Sequence, residues 1–249
     1  MIRGVSALPP VCILAGGRGT RLGSLVRDTP KPLIELAGAP FLVHQLRLLA
    51  AHGFSQVVLC VGYRGDLIEA RLGHSCCGID IRYSHDTPAL DGTLGAIRRA
   101  LPLLGERFLL LYGDTYLRID YAAAFFAWAA SGLPAMMSVF RNDGSLEASN
   151  AVYADERVLA YDKRAPLPQM SWIDYGLGGL ERGALELVSA ETSDLSDLYH
   201  LLAGRGLLYG VLAEERFYEI GTPAALSETE SFLSEALVRC EPDISHKPD

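Results

Sequence analysis

A short apolar run that stops on glycine constrains this chain more than any other stretch. Val11-Cys12-Ile13-Leu14-Ala15 is brief, partly β-branched and followed at once by Gly16-Gly17-Arg18-Gly19-Thr20-Arg21. That brevity and the glycine stop predict a buried strand. The glycines let the backbone turn tightly and bring its N–H groups against a ligand with no Cβ in the way. Two arginines in such a loop offer charge and forked donors to an anion. Further on, Lys31 stands between Pro30 and Pro32, so its amine is presented from a stiff segment. Strand, bend, guanidinium and pinned lysine read as a triphosphate-binding device.

Spacing excludes two better-known glycine loops. The dinucleotide fingerprint needs G-x-G-x-x-G, whereas these glycines run G-G-x-G-x-R. The P-loop needs G-x-x-x-x-G-K-[S/T], which occurs nowhere in the chain.

Downstream, apolar runs alternate with helical spacing. Helices are expected over 40–51, 64–72 and 92–101, and strands over 56–61, 79–83 and 108–112. That rhythm predicts an α/β fold, a Rossmann-like, mainly parallel sheet with helices on both faces. Ligands in such sheets sit beyond the carboxyl ends of the strands, where Gly16 and Asp114 both fall. The apolar window 122–139 is broken by Ser131-Gly132 and Pro134, so it reads as a buried helix and a strand rather than a membrane span.

From residue 135 the pattern turns β-rich. Strands are expected near 135–140, 150–154, 157–162, 172–180 and 207–211, helices near 181–188 and 194–203, and a last helix after Pro223. The expected organisation is one domain over 1–240: a nucleotide-binding lobe over about 1–134 and a smaller β-rich lobe for the other substrate over about 135–240. Residues 241–249, polar with two prolines, read as a disordered tail.

Composition narrows the partners. A chain of 249 residues with 49% apolar residues supports one sizeable core. Its net charge of −8 argues against nucleic acid or an anionic membrane as partner. The five cysteines show no C-x-x-C spacing. Cys12 and Cys60 read as core filler, and Cys76-Cys77 as a loop pair with a metal or redox role as the alternative. Residues 1–10 lack a secretion-signal pattern, so a reducing cytoplasm is expected. A homo-oligomer is left open.

Four further stretches carry chemistry. Asp114 ends the run Leu109-Leu110-Leu111-Tyr112-Gly113, where a carboxylate reads as a metal ligand or a turn cap. Gly92-Thr93-Leu94-Gly95 precedes a helix, and Thr93 reads equally as a plain N-cap. Tyr161-Asp162-Lys163-Arg164 closes a strand, as a binding pair or a solvated turn. In Phe217-Tyr218-Glu219-Ile220-Gly221-Thr222-Pro223 the end reads as a helix start, with Thr222 as N-cap.

Gly16-Gly17-Arg18-Gly19-Thr20-Arg21-Leu22 with Lys31-Pro32 resembles the signature G-G-x-G-T-R-L…K-P of the sugar-1-phosphate nucleotidylyltransferases. The resemblance runs from Val11 to about Leu233 with no appended β-helix domain. The strings Tyr112–Tyr116 and Phe217–Gly221 are most similar to those of heptose-1-phosphate guanylyltransferases.

The resemblance implies a GT-A-like nucleotidyltransferase fold and transfer of NMP from a nucleoside triphosphate to a sugar 1-phosphate, with release of pyrophosphate. By the same resemblance Asp114 holds Mg2+, and Glu219 stands where W-x-D-I-G-T-P has the second metal-binding acid. Gly92 and Thr93 match P-L-G-T-[GA]-G-A, which packs on base and ribose, though Leu90, Asp91 and Leu94 depart from it. Asp162 and Lys163 match an E-K pair for sugar hydroxyl and sugar phosphate, and Asn150 and Gly176 match sugar positions.

Arg21, Lys31, Asp114 and Lys163 are thus the expected catalytic groups, and Leu14, Gly16, Gly17, Gly19 and Thr20 line the nucleotide. GTP with a heptose or hexose 1-phosphate is the favoured pair. A uridylyl- or thymidylyltransferase is the alternative within the family, and a non-catalytic nucleotide-sugar sensor the alternative of another class.

Overall fold

The short apolar runs of the first half become strands covered on both faces, which is why they read as continuous rather than alternating. The computed structural model describes residues 7–17, 19–26, 29–87, 92–142 and 148–240. Arg18, Leu90, Asp91 and the expected tail 241–249 lie outside them.

Strand β1 (Val11–Leu14) leads through the glycine bend and two 3₁₀ segments, Thr20–Val26 and Lys31–Leu33, to a hairpin of β2 (Glu35–Leu36) and β3 (Ala39–Pro40). Then come α1 (Phe41–Ala51), β4 (Gln56–Val61), α2 (Gly65–Leu72), β5 (Ser75–Cys76), β6 (Ile79–His85), α3 (Gly92–Ala100) and β7 (Arg107–Tyr112). A short β8 (Thr115–Tyr116) precedes α4 (Tyr121–Ser131), β9 (Ala135–Arg141), β10 (Ala151–Ala154), β11 (Arg157–Tyr161) and β12 (Trp172–Glu181). A 3₁₀ segment, Arg182–Leu187, stands where a helix was expected, followed by α5 (Leu195–Gly204), β13 (Leu208–Ala213), β14 (Tyr218–Glu219) and α6 (Pro223–Cys240).

The main sheet has ten strands in the order β10-β11-β13-β9-β12-β7-β1-β4-β6-β5. Its parallel part is β7-β1-β4-β6, built from the first half of the chain. Beyond β7 the sheet turns mixed, because β12 runs antiparallel to both β7 and β9. The β-rich half therefore extends the first sheet rather than forming one of its own.

Side chains alternate between two cores. Val11, Ile13, Leu109 and Leu111 face α1 and α4, whereas Cys12, Phe108 and Leu110 face α3 and α5. Helix α4 is anchored by Trp128 and Phe125, both essentially inaccessible. It begins where Asp120 accepts from the Ala123 amide at 2.9 Å and ends at Gly132.

Two irregularities shape the site. The register of β12 against β9 slips between Asp174 and Gly178, and Gly176 in the bulge has φ 104°, a region costly for any residue with a Cβ. Buried Ser138 stitches the bulge, its Oγ donating to the Leu177 carbonyl and accepting from the Leu177 amide, both at 3.0 Å. Separately, β8 and β14 pair antiparallel, with Glu219 opposite Thr115.

Candidate active site

Two cavities open at the carboxyl ends of β1 and β7, and they share the wall formed by Tyr112. The first, of about 380 Å³, is lined by Leu14, Gly16, Gly17, Lys31, Asp86, Gly92, Thr93 and Asp114. The second, of about 640 Å³, is lined by Arg21, Asn150, Lys163, Asp174, Gly176, Arg216 and Glu219. Residues far apart in sequence meet here because β1, β7 and β12 are neighbours in the sheet.

In the first cavity the backbone approaches closely. A Cβ on Gly16 would lie 2.7 Å from Asp86 Oδ2 and 3.3 Å from the Gly62 nitrogen, so only glycine fits without a shift. Gly19 and Thr20 continue the bend into its 3₁₀ segment, the Gly19 carbonyl accepting from the Leu22 amide at 2.9 Å. Lys31 is buried, and its 3₁₀ turn is closed by the Leu33 amide donating to the Pro30 carbonyl at 2.8 Å. Its ammonium donates to Asp114 Oδ2 at 2.6 Å, while Asp114 Oδ1 accepts from the Thr115 hydroxyl at 3.2 Å. Thr93 does not cap its own helix. Its hydroxyl oxygen accepts from the Leu195 amide at 2.8 Å, tying α3 to the start of α5.

In the second cavity Lys163 lies 3.2 Å from Asp174, whose side chain is only 5% exposed. Asp174 is the acid that sequence reasoning missed. The Tyr161 hydroxyl donates to its Oδ2 at 3.2 Å, and the Gly176 amide donates to its Oδ1 at 3.0 Å. The Asp174 carboxylate outweighs desolvation and lifts the Lys163 ammonium well above its ordinary value. Burial, then the same carboxylate, raises the Tyr112 phenol, so that it stays neutral. Asn150 Oδ1 accepts from the Asp174 amide at 2.9 Å and so holds this strand in place. A lone acid inside the apolar string Trp172-Ile173-Asp174-Tyr175 was the available signal.

Asp162 lines neither cavity. Its Oδ1 accepts from the Arg164 and Ala165 amides, both at 2.8 Å, closing the turn after β11 and holding its pKa below the usual carboxylate value. Arg21 lies on the second cavity rather than the first. Glu219 reaches the site through β14, where the Ile220 amide donates to the Asp114 carbonyl at 3.0 Å and Thr229 Oγ1 donates to the Glu219 carbonyl at 2.6 Å. Of the two expected metal-binding acids, Asp114 thus lies in the turn before β8 and Glu219 on β14, the strand paired with β8. Among the described residues no group of three or more His, Cys, Asp or Glu gathers. That sparse, all-oxygen donor set suits an ion taking one or two protein carboxylates and completing its shell from phosphates and water. Among the described residues no helix is long and apolar enough to cross a membrane.

Comparison with known proteins gives a consistent result. The model of the MobA-like NTP transferase domain matches residues 11–214. An N-acetylmuramate α-1-phosphate uridylyltransferase of Neisseria meningitidis is 42% identical over 51% of this chain and 54% of its own length. A D-glycero-α-D-manno-heptose 1-phosphate guanylyltransferase of Aneurinibacillus thermoaerophilus is 29% identical over 85% of this chain and 92% of its own. The chain spans about half the length of several curated relatives, the Neisseria protein among them. The crystal structure of HddC from Yersinia pseudotuberculosis complexed with GMP-PN superposes with a TM-score of 0.75 at 24% identity, covering 91% of this chain and all of that one. At that identity the likeness concerns the fold.

Proposed function

This chain belongs to the family of MobA-like NTP transferase domains, and on that premise we propose that it is a sugar-1-phosphate nucleotidylyltransferase. The observation that carries the proposal is the pair of cavities meeting at Tyr112, one holding Lys31 and Asp114, the other Lys163 and Asp174. Each is furnished with a lysine for a phosphate.

The reaction is attack by a sugar-1-phosphate oxygen on the α-phosphorus of a nucleoside triphosphate. A new P–O bond forms, the bond to the β-phosphate breaks, and pyrophosphate leaves. The nucleophile is already ionised at neutral pH, so no general base is needed, and the chief obstacle is repulsion between anions. Positioning and charge neutralisation carry the catalysis. Lys163 holds the incoming phosphate. Lys31 neutralises charge at the α-phosphate, the bend Gly16 to Gly19 grips the phosphates that leave, and Arg21 adds positive charge from the wall of the second cavity. Asp114 and Glu219 would hold a divalent cation, Mg2+ by the oxygen-only donor set, which supplies further positive charge to the phosphates.

Guanylyl transfer is favoured because the heptose guanylyltransferase relative aligns over nearly its whole length. The uridylyl reading is kept because the Neisseria relative is more identical over half the chain. A need for nucleoside triphosphates, with the cysteines of the described residues free, supports a cytoplasmic location. The test is a pyrophosphate-release screen of GTP, UTP, dTTP, CTP and ATP against a panel of sugar 1-phosphates with Mg2+. Turnover with one pair supports the proposal. Turnover with none, or an Asp114→Ala variant as active as the parent, would defeat it.

A further inference from the structure

The turn that carries Asp114 is held from behind by a residue no motif marks. Gln45, on the buried face of α1, is 3% exposed. Its single Nε2 donates to the Tyr112 carbonyl at 2.8 Å and to the Thr115 carbonyl at 2.7 Å. These carbonyls lie on either side of Gly113-Asp114. A primary amide nitrogen carries two hydrogens in one plane and so satisfies both from one atom. Turning the amide over would set Oε1 against two carbonyl oxygens, so the acceptors fix its orientation.

The rest of the turn is tied elsewhere. The Gly113 amide donates to the Leu14 carbonyl at 2.9 Å, and the Asp114 carbonyl accepts from the Ile220 amide at 3.0 Å. Gly113 itself packs on Ala15, where an added Cβ would meet the Ala15 Cβ at 3.1 Å. Gln45 thus clamps the span between β7 and β8, and with it both the Asp114 carboxylate and the strand opposite Glu219.

We propose that Gln45 is a positioning residue for the cation and triphosphate site, holding the Gly113-Asp114 turn so that Asp114 and Glu219 stay in register. The inference rests on the nucleotidyltransferase reading. Groups that orient a metal-binding side chain contribute about 10- to 100-fold in metal affinity. A clamp of this kind acts on cation binding more than on sugar-phosphate binding.

The test compares Gln45→Met, which keeps the volume and removes both donors, with His44→Leu on the same helix. His44 is also buried and bonds the Leu36 carbonyl at 2.8 Å, away from the turn. Mn2+ affinity is read by the loss of the free-ion EPR signal, with GTP present, or UTP if the screen selects it. Gln45→Met is expected to weaken Mn2+ about 10- to 100-fold and leave the KM for sugar phosphate within about two-fold, while His44→Leu leaves Mn2+ affinity unchanged.

A folded Gln45→Met that binds Mn2+ within about two-fold of the parent overturns the inference, as does an equal loss in His44→Leu. If Gln45→Met does not fold, the parent decides. Its sequence has three glutamines, of which Gln56 and Gln169 are exposed, so the Gln45 carboxamide is identifiable by 15N labelling. That signal is expected to shift when Mg2+ and the nucleotide are added, and its constancy would overturn the inference. Absence of turnover in the parent would strike the enzyme reading alone, since the Mn2+ comparison is decided without it.

Discussion

Replacing Lys31 by Met removes a buried ammonium that lies 2.6 Å from Asp114 Oδ2. At an effective dielectric of about 20 the Coulomb term at that separation is about 6 kcal/mol. The Asp114 side chain is 34% exposed, so water recovers much of this once the lysine is gone. A coupling of about 2 kcal/mol remains, below the ~3–5 kcal/mol seen when a fully buried pair is broken. The assay is a double-mutant cycle of Lys31→Met and Asp114→Asn by urea denaturation, with turnover measured beside it. The double variant is expected to be more stable than the sum of the two single losses predicts, by about the coupling. All three variants lose about 10²- to 10³-fold in rate. A coupling indistinguishable from zero would show that the two side chains stand apart in solution, and the argument from this pair would fail.

Other consequences concern the two cavities and the core. In Asp174→Asn the Lys163 pKa falls, because the carboxylate that raises it is gone and desolvation remains. In the parent, Lys163 stays charged below its ordinary value of 10.5 and neutralises only as pH climbs past the raised one. The alkaline limb of the pH–rate profile is therefore expected to move down in the variant, with a higher KM for sugar phosphate; an unmoved limb would separate the two residues. Gly16→Ala drives a methyl to 2.7 Å from Asp86 Oδ2 and is expected to raise the KM for the nucleotide well above any change in sugar-phosphate KM. A Trp128→Ala variant removes a fully buried indole and is expected to lose about 3–5 kcal/mol by chemical denaturation with the site chemistry unchanged.

Much of the fold is legible because burial on both faces leaves strands as unbroken apolar runs, and Gln56–Val61 was read to the residue. The hairpin of β2 and β3 was not, since its turn uses Ala37 at φ 45° before Gly38, and alanine is a poor marker for a left-handed position. The mixed sheet escaped because strand direction depends on partners, which periodicity does not report. At the site, Lys31 and Asp114 announce themselves through prolines and a strand-end glycine. Asp174, Gln45 and the turn that Asp162 closes do not, because their placement comes from a β-bulge, a helix face and an Asx-type turn that exist only once the chain has folded.

Nucleotidylyl transfer is defined by where the triphosphate breaks. Incubation with the selected sugar 1-phosphate and Mg2+ is run twice, once with nucleotide labelled at the α-phosphate and once at the γ-phosphate. The α-label is expected in the nucleotide-sugar and the γ-label in pyrophosphate. A γ-label in the sugar product, or an α-label released as free nucleoside monophosphate, would contradict it.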